Sequence, residues 1–376
     1  MLLLGACRKD PAPQPMPVAS DVPIEFSSPQ TKGSDELSTL ARLATQKFGV
    51  CAWYTPEGET FGGTGSVPYI LNHRFGCTDV PSYTTWCGVT AGGAANPVYY
   101  PLDGTLSYFC YAPFRESVTD ASDVYFIPNP DPAITTQLAN YMPGSPLIRF
   151  TPTTSTASQI DFIVAPPVLD IHRGDGAVEL DFTKHVTTKI EFWCKYAGTL
   201  DAESEGVVIT SLVISNVISS EYLYYTENAG NIGLEWCSNI SPDPDPEEET
   251  PTMPKASYTL STINNSLITS DAWLDVSTPK FVNETNNGII YMLPQTLPLA
   301  ASLDVTYQVR IKSTQAVLDE NTVSIPLAGT ADWPLGKVVK YTITIGVAAR
   351  KDVELDAEIL RWSNARNKHS EQELMY

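Results

Sequence analysis

The sequence predicts an all-β chain of two tandem antiparallel β-sandwich domains with long loops. Three observations predict it. The first is the stretch from Trp333 to Trp362. There Tyr341, Ile343, Ile345 and Val347 alternate with Thr342, Thr344 and Gly346, and Val353, Leu355, Ala357 and Ile359 alternate with Glu354, Asp356 and Glu358. A period of two buries one face and wets the other, as a strand does. The charged turn Ala349 to Asp352 joins the two runs into a hairpin. The second observation is composition: 30 Pro and 23 Gly among frequent Thr, Val, Ile and Tyr suit many short strands and turns. The third is length, because 376 residues hold one to three domains that each bury a core.

Residues 1–20 are expected to be a lipoprotein signal remnant and a tether. Leu4-Gly5-Ala6-Cys7 has the lipobox form, in which Cys7 becomes the lipidated residue. No basic stretch precedes it, and the apolar run is shorter than the ~7–15 residues of a full signal core. Arg8-Lys9-Asp10 and the proline-rich run Pro11 to Pro17 read as an unfolded tether. No later run is long or apolar enough to span a bilayer, so the lipid would be the one membrane attachment.

The first domain is expected over residues 21–166. Val22, Ile24 and Phe26 share one face of a short strand, and Pro23 confines that strand to an edge or to the start of a sheet. The loop from Ser27 to Lys47 holds a helix at about Asp35–Thr45, capped by Ser34, with Leu37, Leu40, Ala41 and Ala44 on one side. Lys32, Arg42 and Lys47 lie in this segment. Strands follow at Phe48–Tyr54, Tyr69–Leu71, Val98–Tyr100, Ser107–Ala112, Val124–Ile127, Leu147–Phe150 and Ile160–Val164. Pro166-Pro167 breaks the pattern and places the boundary between there and Gly176.

The second domain is expected over residues 176–376. It opens with Val178–Phe182 and Ile190–Cys194, then Val207–Val217 and Ser220–Tyr225. The acidic, proline-rich stretch 241–254 cannot pack as strand or helix and reads as an exposed loop within the domain. Ile289–Leu293, Leu303–Lys312 and the closing hairpin complete it.

The formal net charge of −20 excludes a nucleic-acid partner, because no basic stripe neutralises phosphates. It equally excludes electrostatic docking on anionic lipid. Of seven cysteines, Cys7 stands apart. Cys51, Cys77, Cys87, Cys110, Cys194 and Cys237 form no C-x-x-C pair, so neither zinc nor a disulfide pattern is legible. The even count suits an oxidising compartment, whereas Cys194 and Cys237, each following a Trp, read equally well as small buried hydrophobes. The four histidines, His73, His172, His185 and His369, have no second His at ligand spacing, and His185 reads as a structural residue between strands. No nucleophile elbow, phosphate loop or dinucleotide fingerprint occurs, so no enzyme, cofactor or metal is expected. The carboxylates Asp243, Asp245 and Glu247 to Glu249 lack the glycine turn of a calcium loop. The aromatics Trp53, Trp86, Tyr99, Tyr100, Tyr108 and Tyr111 either plug a core or present rings to sugars.

Several segments together resemble the fimbrillin-like family of Bacteroidetes pili, covering major and accessory subunits. Val22–Phe26 followed by Phe48-Gly49-Val50-Cys51-Ala52-Trp53 resembles the opening of that family's N-terminal domain. Asp161–Ala165 with Val178–Ile190 resembles its inter-domain junction, Ile289–Leu297 its Pro-Gln-Thr strand, and Trp333–Trp362 its terminal hairpin. The resemblance implies two transthyretin-like sandwiches, export as an outer-membrane lipoprotein, and polymerisation by strand exchange with other pilin subunits. An Arg/Lys-specific protease would remove the N-terminal segment, at Arg42 first and at Lys32 or Lys47 otherwise. The strand carrying Val22, Ile24 and Phe26 would leave, and a neighbour's C-terminal strand would fill its place. Here the tail Ser363 to Tyr376 is polar until its last three residues, so the donor would be Val353, Leu355, Ala357 and Ile359. The alternative is a non-polymerising surface lipoprotein that binds host glycans or proteins through the aromatics of residues 53–111.

Overall fold

The computed structural model describes residues 17–31, 39–63, 65–237, 253–261, 273–282, 290–347 and 352–362. In chain order the elements begin with β1 (Ala19–Pro23), β2 (Glu25–Phe26), β3 (Gln30–Thr31), α1 (Leu40–Gln46) and β4 (Phe48–Thr55). Next come β5 (Val67–Cys77), β6 (Trp86–Gly88), β7 (Tyr99–Pro101), β8 (Thr105–Ala112) and β9 (Val124–Ile127). They are followed by α2 (Pro132–Thr135), β10 (Leu147–Phe150), β11 (Ile163–Val164), β12 (Val168–His172) and β13 (Asp181–Phe182). Four long strands come after them, β14 (Thr188–Ala197), β15 (Glu205–Ile218), β16 (Glu221–Asn228) and β17 (Asn231–Cys237). The remainder is β18 (Lys255–Ser261), β19 (Lys280–Phe281), β20 (Ile290–Met292), β21 (Ser302–Ile311), β22 (Val317–Pro326), β23 (Lys337–Gly346) and β24 (Val353–Arg361).

β4 and β8 are buried along both faces. That is why their sequences run apolar rather than alternating. They sit in a seven-stranded sheet ordered β11-β8-β4-β5-β6-β2, with β12 also on β8. One face carries Cys51, Trp53, Phe109 and Tyr111 and packs on a four-stranded sheet, β17-β16-β10-β9, through Phe126, Ile148, Phe150 and Tyr225. The other face carries Val50, Ala52, Tyr108 and Cys110 and is covered by Ile24, Phe26, Leu43, Val178, Leu180 and Phe182. The N-terminal half therefore has three layers.

The C-terminal half is a sandwich of β19-β14-β23-β24, with β20 also on β14, against β18-β15-β21-β22. Its core includes Ile190, Phe192, Leu212, Leu303, Tyr307, Tyr341 and Ile343. The expected closing hairpin is present, with Ile343 opposite Leu355 and Tyr341 opposite Ala357. The sheets are not wholly antiparallel as expected. β14 and β23 run parallel from Lys189 opposite Val338 to Ala197 opposite Gly346, and β3 and β13 are also parallel.

The all-β class agrees with the expectation, but the sheets cross the division placed at residues 166–176. β12 extends the first sheet to His172, beyond Pro166-Pro167. Val178, Leu180 and Phe182, expected to open the second domain, lie in the core beside Ile24 and Phe26. The hairpin β16–β17 pairs with β10 instead of joining the C-terminal sandwich. Alternation specifies that a segment is a strand and which face it buries, but not which sheet takes it.

The helix is shorter than expected: α1 starts after Thr39, whose hydroxyl accepts from the Arg42 N–H at 3.2 Å. Leu43, not Ala41, joins Ala44 on the buried side. Cys7, Lys32, Ser34 to Leu37, most of the acidic loop, the turn at Ala349 and the tail from Ser363 lie outside the described residues.

Candidate functional site

The N-terminal segment 19–31 lies in a groove with main-chain partners on both sides. On one side β1 runs antiparallel to β7, and the Ile24 N–H donates to the Val98 carbonyl at 2.7 Å. β2 continues antiparallel to β6, with Phe26 opposite Trp86. On the other side the Ser27 N–H donates to the Val178 carbonyl at 2.9 Å, and the Gln30 N–H to the Leu180 carbonyl at 2.8 Å. The Val178 N–H returns a bond to the Glu25 carbonyl at 3.2 Å. Among the described residues β1, which carries Pro23, pairs with β7 alone, as the edge expectation has it, whereas residues 25–30 are bonded on both sides. Pro23 is tolerated because it falls opposite Tyr99 where the ladder shifts register.

The side chains follow the expected face. Val22 is half-buried, Ile24 is 0% exposed and Phe26 is 1% exposed. The Phe26 ring stands edge-on to Phe75 at 5.1 Å, Tyr108 at 5.4 Å and Phe48 at 5.7 Å. Burial holds the Tyr108 hydroxyl well above its ordinary range, so this wall of the groove stays neutral.

The three expected processing residues separate. Arg42 is exposed on α1, while the next residue, Leu43, is fully buried. Lys47 is half-buried at φ 64°, and its ammonium donates to the Ala44 carbonyl at 2.7 Å, closing the end of α1. Lys32 lies outside the described residues.

Among the described residues β24 is an edge strand paired only with β23. Val353, Leu355 and Ala357 rest half-buried on the core, whereas Ile359 is 50% exposed, so the expected apolar face narrows to three positions. The strand's end is anchored at the meeting of the two halves. Trp362 stacks on His185 at 3.9 Å and 12°, and Tyr291 lies parallel to Trp362 at 5.9 Å. His185 is buried, with Nδ1 2.9 Å from the Asp161 carboxylate. The histidine is structural, as expected, but its partners are not legible in the sequence, because Asp161 and Trp362 are remote in the chain.

The other expected candidates are accounted for. Trp53, Trp86, Tyr100, Tyr108 and Tyr111 are core residues, leaving Tyr99 at the surface. These six rings therefore form no row for sugars. The six described cysteines are free thiols. Cys77 and Cys87 lie on neighbouring strands but face Trp86 and Gly76, respectively. Burial pushes the Cys51 thiol up to about 12, the reverse of what a nucleophile needs. Among the described residues no group of three His, Cys, Asp or Glu could hold a metal ion, and no helix is long and apolar enough to cross a membrane.

The profile of the fimbrillin-like family matches residues 43–362. A fimbrial protein from Bacteroides vulgatus is similar in structure, with a TM-score of 0.58 at 17% identity, over 90% of this chain and 99% of that one. A candidate cell adhesion protein from Bacteroides uniformis aligns over 91% of this chain and 98% of its own, with a TM-score of 0.45 at 16% identity. No curated protein matches the sequence.

Proposed function

The chain belongs to the fimbrillin-like family, and from that membership we propose that it is a structural or accessory subunit of a cell-surface fimbria. In this reading it mediates adhesion, is exported as an outer-membrane lipoprotein through Cys7, and joins other pilin subunits by strand exchange after proteolysis. The observation that carries the proposal is the two-sided seat of residues 19–31. Burial of Ile24 and Phe26 contributes ~1.5–3 kcal/mol each. A whole domain is stable by only ~5–15 kcal/mol. Loss of the segment would uncover Phe48, Phe75 and Tyr108, leave β7 and residues 178–182 without their strand partner, and leave β6 paired on the β5 side alone. Such a groove accepts an extended strand through main-chain bonds and alternating side-chain pockets.

Arg42 is the processing site in this proposal. It is exposed and lies between the seated segment and β4, so a cut there frees the segment with its β2 and leaves β4 and the strands after it in one chain. Proteases take extended chain, so α1 must open first, and cleavage depends on local unfolding of a short helix. The donor is β24 of a neighbour, with Val353, Leu355 and Ala357 as its apolar face.

The test is digestion of the soluble chain from Arg8 onward with an Arg-specific protease, followed by intact mass and negative-stain microscopy. A cut after Arg42 with filaments is the expected result, and Arg42→Ala should block both. A chain that resists cutting, or is cut and stays monomeric, would overturn strand exchange and support the non-polymerising surface lipoprotein.

A further inference from the structure

We propose that the cleft between α2 and the turn Asn140 to Ser145 is a binding site for a neutral oligosaccharide. The cleft has a volume of about 640 Å³, within the range of small-ligand sites and large enough for a short saccharide. It lies at the end of the four-stranded sheet, away from the strand groove. The assignment rests on three features.

The first is rigidity. Pro128, Pro130, Pro132 and Pro143 line the cleft and fix its backbone. Asp131 caps α2 by accepting from the Ala133 N–H at 2.8 Å. The turn is tied to β16, since the Met142 N–H donates to the Tyr225 carbonyl and the Glu227 N–H to the Asn140 carbonyl, both at 2.9 Å. Gly62 and Gly144 meet so closely that a Cβ on Gly144 would lie 2.9 Å from the Gly62 Cα. A ligand therefore finds the walls in place.

The second is charge. No Asp, Glu, Lys or Arg lines the cleft, although the chain has a net charge of −20. A sialylated or uronic ligand would find no cation there and would be repelled by the whole protein. A neutral ligand meets neither obstacle.

The third is the kind of polar group. Asn129 and Asn140 stand exposed at the rim, each offering a donor and an acceptor. The Thr135 and Thr136 hydroxyls donate to the Pro132 and Ala133 carbonyls at 3.4 Å and keep lone pairs that accept. The Tyr141 hydroxyl donates to the Ser145 carbonyl, which holds its ring at the wall. Paired amides and hydroxyls beside proline and tyrosine surfaces suit a sugar, whose ring is apolar on its faces and hydroxylated at its edge. A proline-rich peptide wants a groove lined by several aromatics, and here there is one.

The test uses the uncut full chain, so it does not depend on assembly. Titration calorimetry and saturation-transfer NMR would be run against di- to tetrasaccharides of neutral hexoses and N-acetylhexosamines, their sialylated counterparts, and a proline-rich decapeptide. Asn129→Ala and Asn140→Gly would be compared with the parent; glycine keeps the φ of 53° at residue 140. The expected result is binding of a neutral saccharide, weakened roughly 3- to 10-fold by each substitution at unchanged melting temperature. Failure of every neutral saccharide to bind would overturn the proposal. Binding indifferent to both substitutions, or confined to acidic saccharides or the peptide, would overturn it as well.

Discussion

Gln295 is the residue that holds the two halves in register. Its Oε1 accepts from the Ile218 N–H at 2.8 Å, and its Nε2 donates to the carbonyls of Ile218 and Leu293 at 3.2 Å each. Its backbone exchanges two bonds with Trp333, at 2.8 and 2.9 Å. Ile218 ends the strand that hands the chain from the C-terminal sandwich to the β16–β17 hairpin, so the amide fixes where that crossing occurs. A leucine there would fill similar volume and strand three buried main-chain groups. Each such group costs ~1–3 kcal/mol, with part recovered by relaxation, so Gln295→Leu should destabilise the chain by about 2–4 kcal/mol. Urea unfolding would read this as a lower midpoint at unchanged slope. A loss under ~0.5 kcal/mol would mean that water replaces the amide. The run Ile289 to Leu297 is recognisable as a unit in the sequence, yet nothing in it names Ile218 or Trp333, which lie 77 and 38 positions away. Hydrogen-bond partners across such separations are a property of the packed chain.

At the scale of elements, the segment 19–31 and β24 are opposites. The first is bonded on both sides over residues 25–30, and the second, among the described residues, is paired on one side only. Glu354, Asp356 and Glu358 on its outer face guard that edge against unwanted pairing. β24 is retained by its ladder to β23 and by Trp362 on His185 and Tyr291. Aromatic pairs contribute ~0.5–1.5 kcal/mol, so Trp362→Ala should speed amide exchange across Val353–Arg361 by roughly 2- to 10-fold. Exchange in residues 19–31 should not change. Acceleration in both segments would show that the stack supports the whole fold and not one strand, and no acceleration would remove Trp362 as a retaining contact. The alternation of Val353, Leu355 and Ala357 makes β24 legible in the sequence alone. The enclosed place of Phe26 is not legible there, because residues 178–182, which run along its other side, show the same alternation wherever they pack. α1 is legible as a helix, but its start is ambiguous because Ser34 and Thr39 are both plausible caps.

At the scale of the whole molecule, the chain is woven rather than strung. Residues 178–182 return to cover the first sheet, and β16 and β17 complete the second sheet of the N-terminal half after β14 and β15 have begun the C-terminal sandwich. One core cluster takes Phe109 and Phe126 from the N-terminal half, Tyr225 from the crossing hairpin and Leu293 from beside Gln295. Cutting the chain at Pro166-Pro167 would remove Val178, Leu180 and Phe182 from the Phe26 side and Leu223 and Tyr225 from the other. The central sheet would then be bare on parts of both faces. Fully burying residues of this size contributes ~1.5–3 kcal/mol each, so losing five of them is comparable with the whole stability of an ordinary domain, ~5–15 kcal/mol. Residues 17–166 expressed alone should therefore be insoluble or molten, and the full chain should unfold in one calorimetric transition. Near-ultraviolet dichroism, which reports the packed aromatic residues of both halves, should melt at the same midpoint as the calorimetric transition. Two separated transitions, or a folded 17–166 fragment, would show that the halves are independent and that the crossing hairpin only decorates the first. A single transition has a consequence for assembly. Removing residues 19–31 would then lower the stability of the entire subunit, so strand capture would stabilise both halves at once.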